Sequence, residues 1–166
     1  KAATAVIDAK EVEAPTRSMA YLVRAGLQED DAKRKADFDS AVEADPNKIE
    51  ALRARGLFHL LKEDHAAALA DLDAALKKEP DHAPTHEARG MALFMGQKYD
   101  EAVKSFSKAI ELSPHTPTPY LHRARSYALA DNLKAALEDL DKLLGLNPDA
   151  VPALLLRAQV HAQNED

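Results

Sequence analysis

The chain has 166 residues, of which 46% are hydrophobic and 30% charged, and its formal net charge is -6. This composition is typical of a soluble folded protein, and the negative balance argues against nucleic acid as a partner. No apolar run is long enough for a membrane span, and the lack of cysteine excludes disulfides and thiolate metal sites.

The first segment is residues 1–14. It starts at Lys1 rather than Met, so we expect a processed product or part of a longer protein. The compartment stays open: cytoplasmic, or periplasmic or secreted if a signal peptide has been removed. Several β-branched residues in this segment permit either a strand or a helix. We favour a short helix that caps the helices behind it.

Residues 15–150 contain a repeat of 34 residues. Several positions share this interval: Pro46, Pro80, Pro114 and Pro148; Phe38, Leu72, Phe106 and Leu140; Arg55, Arg89, Arg123 and Arg157. Each interval has room for two helices, and the proline ends the second helix because it disfavours helix in the residue before it. We place four copies at 15–48, 49–82, 83–116 and 117–150, and a capping helix at 151–166.

Small residues recur where two paired helices would have to cross closely. They are Gly56, Gly90 and Ala124 in the first helix and Ala68, Ala102 and Ala136 in the second. The first copy departs from this pattern, with Arg34 in place of the small residue. Stacked pairs bury a continuous apolar core that one pair alone cannot bury.

The repeat resembles the tetratricopeptide repeat (TPR) family. The best match is residues 83–116, through Gly90, Tyr99, Ala102, Phe106, Ala109 and Pro114. The resemblance implies an all-α fold, a right-handed α-solenoid of antiparallel helix pairs that forms a TPR-like superhelix. It also implies a concave groove, lined by the first helix of each pair, of the kind that commonly binds peptides.

Histidines and aspartates are the candidate metal ligands. His82 and His86 are four residues apart, but Pro84 starts a new helix between them, and His59 and His161 are predicted in the core. We therefore expect no metal and no cofactor.

An Asp-x-Asp pattern recurs in the second helices, for example at Asp71 and Asp73. We predict that one aspartate of each set pairs with the recurring arginine, as Arg55 with Asp71 and Arg123 with Asp139. The other aspartate is predicted to face water. No nucleophile elbow, P-loop or dinucleotide fingerprint occurs, so we do not expect an enzyme.

The phase of the repeat predicts which side chains face the groove. The full set is Met19, Val23, Leu27, Glu50, Arg53, Leu57, Leu60, Leu61, Glu87, Met91, Phe94, Met95, Leu121, Arg125, Ala128, Leu129, Leu155 and Gln159. The predicted partner-binding residues within it are Arg53, Leu57, Leu61, Glu87, Met91, Phe94, Met95, Leu121, Arg125 and Leu129. Most are apolar, and exposed apolar surface usually marks an interaction site. The alternative is that Leu60, Leu61 and Phe94 pack between helices.

The favoured function is a protein-interaction scaffold that binds an apolar or amphipathic peptide segment. One variant of the family grips acidic chaperone tails through a two-carboxylate clamp of Lys, Asn, Asn, Lys and Arg. The corresponding residues here are Arg53, Leu57, Ala88, Thr118 and His122, which do not match, so we predict against that partner. The alternative function is self-association into a homo-oligomer, or docking onto another part of a larger chain. It is suggested by the last helix, residues 151–166, which we expect to leave an open edge at Leu154, Leu156 and Val160.

Overall fold

The computed structural model describes residues 1–9 and 11–164, and within them all regular structure is α-helical. Lys10, Glu165 and Asp166, which fall in the predicted segments 1–14 and 151–166, lie outside the described residues. The helices are α1 (Ala2–Asp8), α2 (Ala14–Gly26), α3 (Asp31–Ala44), α4 (Ile49–Leu61), α5 (His65–Lys78), α6 (Ala83–Met95), α7 (Tyr99–Leu112), α8 (Pro117–Leu129), α9 (Leu133–Leu146) and α10 (Val151–Asn164). None of them is long and apolar enough to cross a membrane.

Local sequence sets the ends of these helices. The side chains of Asp30, Asp64 and Asn132 each accept a hydrogen bond from a backbone N–H in the first turn of the helix that follows. Such caps stabilise a helix because its first N–H groups have no partner within it. The turns inside the pairs share one geometry, with left-handed φ angles of 58°, 60° and 61° at Glu63, Gln97 and Asp131. These turns lie 34 residues apart, so the repeat extends to the backbone conformation.

The described residues form two compact units, one ending at Pro80 and the other beginning at Asp81. In the first unit, α1 packs on α2, α2 pairs with α3, α4 pairs with α5, and the first helices α2 and α4 touch. In the second unit, α6 pairs with α7 and α8 with α9, while α8 touches both α6 and α10. Each unit is thus a helical repeat, as the sequence predicted. Of the two conformations open for residues 1–14, the helix is the one observed, over Ala2–Asp8.

The small residues lie at close helix crossings, which confirms the prediction. A Cβ added to Gly56 would come within 3.1 Å of Leu72, and one added to Gly90 would come within 2.6 Å of the Phe106 ring. Ala124 is fully buried in the equivalent position. The alanines of the second helices, Ala68, Ala102 and Ala136, are also fully buried.

The predicted arginine–aspartate pairs are present. Arg55 Nε and one terminal nitrogen donate to the two carboxylate oxygens of Asp71, at 2.8 and 2.7 Å. Arg123 does the same to Asp139, at 2.7 and 2.6 Å. Both aspartates are buried.

The prediction that the other aspartate of each set only faces water is wrong at Asp39 and Asp141. Arg55 also donates to Asp39, 16 residues before it, at 3.2 Å. Arg157 donates to Asp141 at 3.3 Å. Arg55 therefore reaches the second helix of its own pair and that of the pair before, because its several donors point in more than one direction. Arg157, on α10, reaches the second helix of the pair before.

Two predicted burial states in the last helix also need correction. His161 is exposed rather than in the core, and Val160, expected at an open edge, is fully buried. The physical reason is that α10 packs only on α8 and α9 among the described helices, so the side of α10 towards them is covered and the other is not. In the first copy, Arg34 is accommodated because its guanidinium bonds to the backbone carbonyl of Gln28 and to Asp31.

Candidate functional site

The first helices of unit 2 form a cleft, which we call the unit 2 cleft. It has a volume of about 230 Å³ and lies between α6, α8 and α10. Its lining is Phe94, Arg125, Ala128, Leu129, Leu156, Gln159 and Gln163. Three predicted partner-binding residues, Phe94, Arg125 and Leu129, are thereby brought together.

The apolar wall of the unit 2 cleft has a fixed part and an exposed part. Phe94 is half-buried and packs on Tyr99, with ring centroids 5.7 Å apart. Leu129, at the end of α8, is 57% exposed. The wall therefore combines the ring of Phe94, which packs on a second ring, with the side chain of Leu129, which still exposes apolar surface that could be buried.

The polar side of the cleft consists of one positively charged donor, Arg125, and two neutral amides, Gln159 and Gln163. Arg125 is half-buried, and neither a hydrogen bond nor an ion pair involves it within the described part of the chain. Gln159 and Gln163 lie four residues apart on α10, so they share one side of that helix. Burial, and then the positive charge of Arg125, lower the pKa of His122 and favour its neutral form.

Other predicted residues of unit 2 lie outside this cleft. Met95 is 42% exposed at the end of α6, while Glu87 and Met91 are half-buried on the same helix. Leu121 packs partly against the hydrophobic core of α8 and α9 and lines a separate cleft with Pro117 and Thr118.

The predicted residues of unit 1 are more dispersed. Leu61 is 75% exposed at the end of α4, and Arg53 and Leu57 are half-buried on that helix. Leu60 is buried, so its assignment to the groove is wrong and its packing alternative is correct. On α2, Met19 and Val23 are exposed and line a cleft of about 520 Å³ between α1 and α2.

Two cleft residues were absent from the predicted set, Leu156 and Gln163. Gln163 lies 34 residues after Leu129, so the repeat itself carried the signal for it. Leu156 was instead assigned to an open edge; it is half-buried, with one side on the core of unit 2.

Metal ligands do not assemble in the part of the chain that the structure describes, where no group of three His, Asp or Glu side chains could hold an ion. His82 Nδ1 lies 2.7 Å from the hydroxyl oxygen of Thr85. Both residues lie at the start of α6, so the His82 ring is held by a contact with its own helix.

Replacing Glu87 with glutamine is expected to raise the stability of the fold at about pH 7. Burial raises the pKa of Glu87. The unfolded chain, with an ordinary pKa of about 4.3, ionises first as pH rises, so folding carries a growing penalty above that value. Below it the carboxyl is protonated in both states and the penalty is absent. Thermal unfolding of the Glu87→Gln variant should show a higher midpoint than wild type at about pH 7, and the difference should shrink at about pH 4.

The matched control for Glu87 is Glu138→Gln on α9, because Glu138 is exposed. It should leave the midpoint nearly unchanged at both pH values. An equal effect of the two substitutions would show that net charge, rather than burial of Glu87, is responsible.

Comparison with known proteins places the fold. A MamA crystal structure superposes with a TM-score of 0.84 at 19% identity, covering 92% of this chain and 84% of that one. MamA from Desulfovibrio magneticus gives 0.70 at 22%, covering 83% and 76%. The second TPR domain of human RPAP3, solved in complex with an HSP70 peptide, gives 0.64 at 22%, covering 66% and 92%. No curated protein sequence matches this chain. The tetratricopeptide repeat model matches residues 30–83 and 62–117, more than half of the sequence, and the chain therefore belongs to the tetratricopeptide repeat family.

Proposed function

We propose that the protein is an interaction scaffold that binds an apolar or amphipathic segment of a partner protein. The observation that carries this proposal is the unit 2 cleft, where Phe94, Leu129 and Leu156 supply apolar surface and Arg125 and two glutamines supply donors. A concave site with apolar walls and a few convergent polar groups is the usual form of a binding site.

The fold supports the same proposal. The RPAP3 domain, which is similar in fold to this chain, was solved with a bound peptide. The peptide SGPTIEEVD is the ligand in that structure. In this chain, the five positions of the two-carboxylate clamp hold other residue types. We therefore propose a partner anchored mainly by apolar side chains, in the helix-in-groove or extended mode.

The Leu129→Glu substitution should weaken partner capture at least about tenfold, since it places a charge where an apolar side chain would be buried. The control is Leu146→Glu, because Leu146 is 40% exposed at the end of α9 and is not part of the cleft. Immobilised wild type, variant and control would be compared by pull-down and quantitative mass spectrometry, with helix content checked by circular dichroism. Proteins retained by wild type and control but lost with Leu129→Glu support the proposal. If the same proteins bind all three chains equally, the cleft is not the binding site.

A further inference from the structure

The arginines of this chain differ in whether they have a carboxylate partner. Arg24, Arg34, Arg55, Arg123 and Arg157 each form an ion pair with an aspartate. Arg17 donates to the carbonyl of Ala9, and Arg89 to the hydroxyl of Ser105. Within residues 1–9 and 11–164, only Arg53 and Arg125 have a guanidinium group with neither a hydrogen bond nor an ion pair. Arg53 Nε is buried without an acceptor. Both are on the surface that the repeat assigns to a partner.

The lack of a partner at Arg125 is informative because carboxylates are abundant. The chain has 28 aspartates and glutamates against 22 lysines and arginines, yet none of the acids described pairs with this guanidinium. A half-buried guanidinium loses some hydration and gains no charge-assisted hydrogen bond in return. Its fork of N–H donors is therefore available to a planar anion from outside the chain.

The surroundings of Arg125 define what kind of anion fits. Beside it in the unit 2 cleft are the apolar side chains of Phe94, Leu129 and Leu156. Gln159 and Gln163 can add amide N–H donors to the same ligand. A volume of about 230 Å³ accommodates a large apolar side chain and a neighbouring polar group rather than a long segment.

We propose that the unit 2 cleft recognises a peptide segment in which a large apolar side chain lies within one helical turn of an Asp or Glu carboxylate, and that Arg125 binds this carboxylate. The inference rests on the proposed function and specifies its ligand. It differs from a two-carboxylate clamp, because Arg125 is not at a clamp position and the anchor beside it is apolar.

The test uses the full chain and a random peptide library displayed on phage. Selection against wild type should enrich peptides with a Leu, Ile or Phe next to an acidic residue. Each enriched peptide is then synthesised in two forms, with the carboxylate and with the corresponding amide, and titrated by fluorescence anisotropy. The carboxylate form should bind about tenfold or more tightly, the usual gain from a charge-assisted hydrogen bond, and the preference should weaken as salt is raised.

Variants assign this preference to Arg125. Arg125→Gln should make the two peptide forms bind equally, and Arg125→Lys should restore part of the preference. Arg157→Gln is the matched control: it also removes one positive charge from unit 2, but Arg157 already pairs with Asp141. It should leave the preference intact.

The outcomes separate this inference from the function on which it rests. Enriched peptides that lose binding with Leu129→Glu but show no carboxylate preference, or one that persists in Arg125→Gln, would overturn the inference and keep the function. A selection that enriches nothing, or only peptides that are insensitive to Leu129→Glu, would overturn both.

Discussion

Replacing Gly90 with alanine is expected to destabilise the protein by about 1–2 kcal/mol, although alanine is the better helix former. A Cβ at this position would lie 2.6–2.8 Å from three atoms of the Phe106 ring. That ring is fully buried between helices, so moving it would disturb the close-packed core around it. The overpacking costs about 1–3 kcal/mol, against a helix-propensity gain of about 1 kcal/mol. Urea unfolding followed by circular dichroism measures the difference.

Two further variants make this result specific to the contact. Gly90→Ala combined with Phe106→Leu should recover part of the loss, because it recreates the natural combination of Ala124 with Leu140 in the equivalent positions. Gly145→Ala is the control, since a Cβ there would meet nothing within 4 Å. It should stabilise α9 by about 0.5–1 kcal/mol through lower unfolded-state entropy. A Gly90→Ala variant that gains stability as Gly145→Ala does would contradict a close crossing of α6 and α7.

The crossing at Gly90 shows what periodicity could predict. A small residue every 34 positions inside a helical pattern indicates a place where another helix comes close, and this holds whatever the partner residue is. The identity of that partner, Phe106 for Gly90 and Leu72 for Gly56, depends on three-dimensional packing. The same distinction explains the errors at His161 and Val160. The repeat phase assigned both to a helix face, but burial depends on which helices lie against that face.

The arginine contacts show a second limit. Pairing 16 residues ahead, as from Arg55 to Asp71, was predicted because both residues recur with the repeat. Pairing 16 residues back, from Arg55 to Asp39, follows the same period but was missed. An aspartate next to a core residue on a helix can face water or a neighbouring pair, and the sequence does not distinguish these.

The candidate site was predicted in part for similar reasons. The repeat phase selected Phe94, Arg125 and Leu129, which do line one cleft. It could not exclude Leu121 or Leu60, which share the phase but are large enough to reach the core. A cleft forms where side chains are too short to fill the space between helices, and this depends on the sizes of several neighbours together. The absence of a carboxylate partner at Arg125 is likewise visible only once the helices are in place.

Removing the Arg55 side chain charge should have a still larger effect than the Gly90 substitution. Arg55, on α4, bonds to Asp71 on α5 and to Asp39 on α3, so one guanidinium holds three helices of unit 1. Arg55→Met keeps the aliphatic part but leaves the buried carboxylate of Asp71 without its counter-charge. Breaking a buried pair from one side costs about 3 kcal/mol, and the partial exposure of Arg55 lowers the expected loss to about 2–3 kcal/mol.

A double-mutant cycle separates the pair from its surroundings. Asp71→Asn alone should cost less than Arg55→Met, because Arg55 keeps Asp39 as a partner, and the two changes together should cost less than their sum by about 1–3 kcal/mol. Arg157 with Asp141 is the control pair, since its side chains are 41% and 67% exposed. Exposed pairs couple by less than about 1 kcal/mol. Additive losses at Arg55 and Asp71 would mean that the two side chains do not depend on each other, and a coupling equal to that of the control would mean that burial adds nothing. The expected order, strong coupling inside the unit and weak coupling at its surface, follows because water screens the exposed charges and is largely excluded from Asp71.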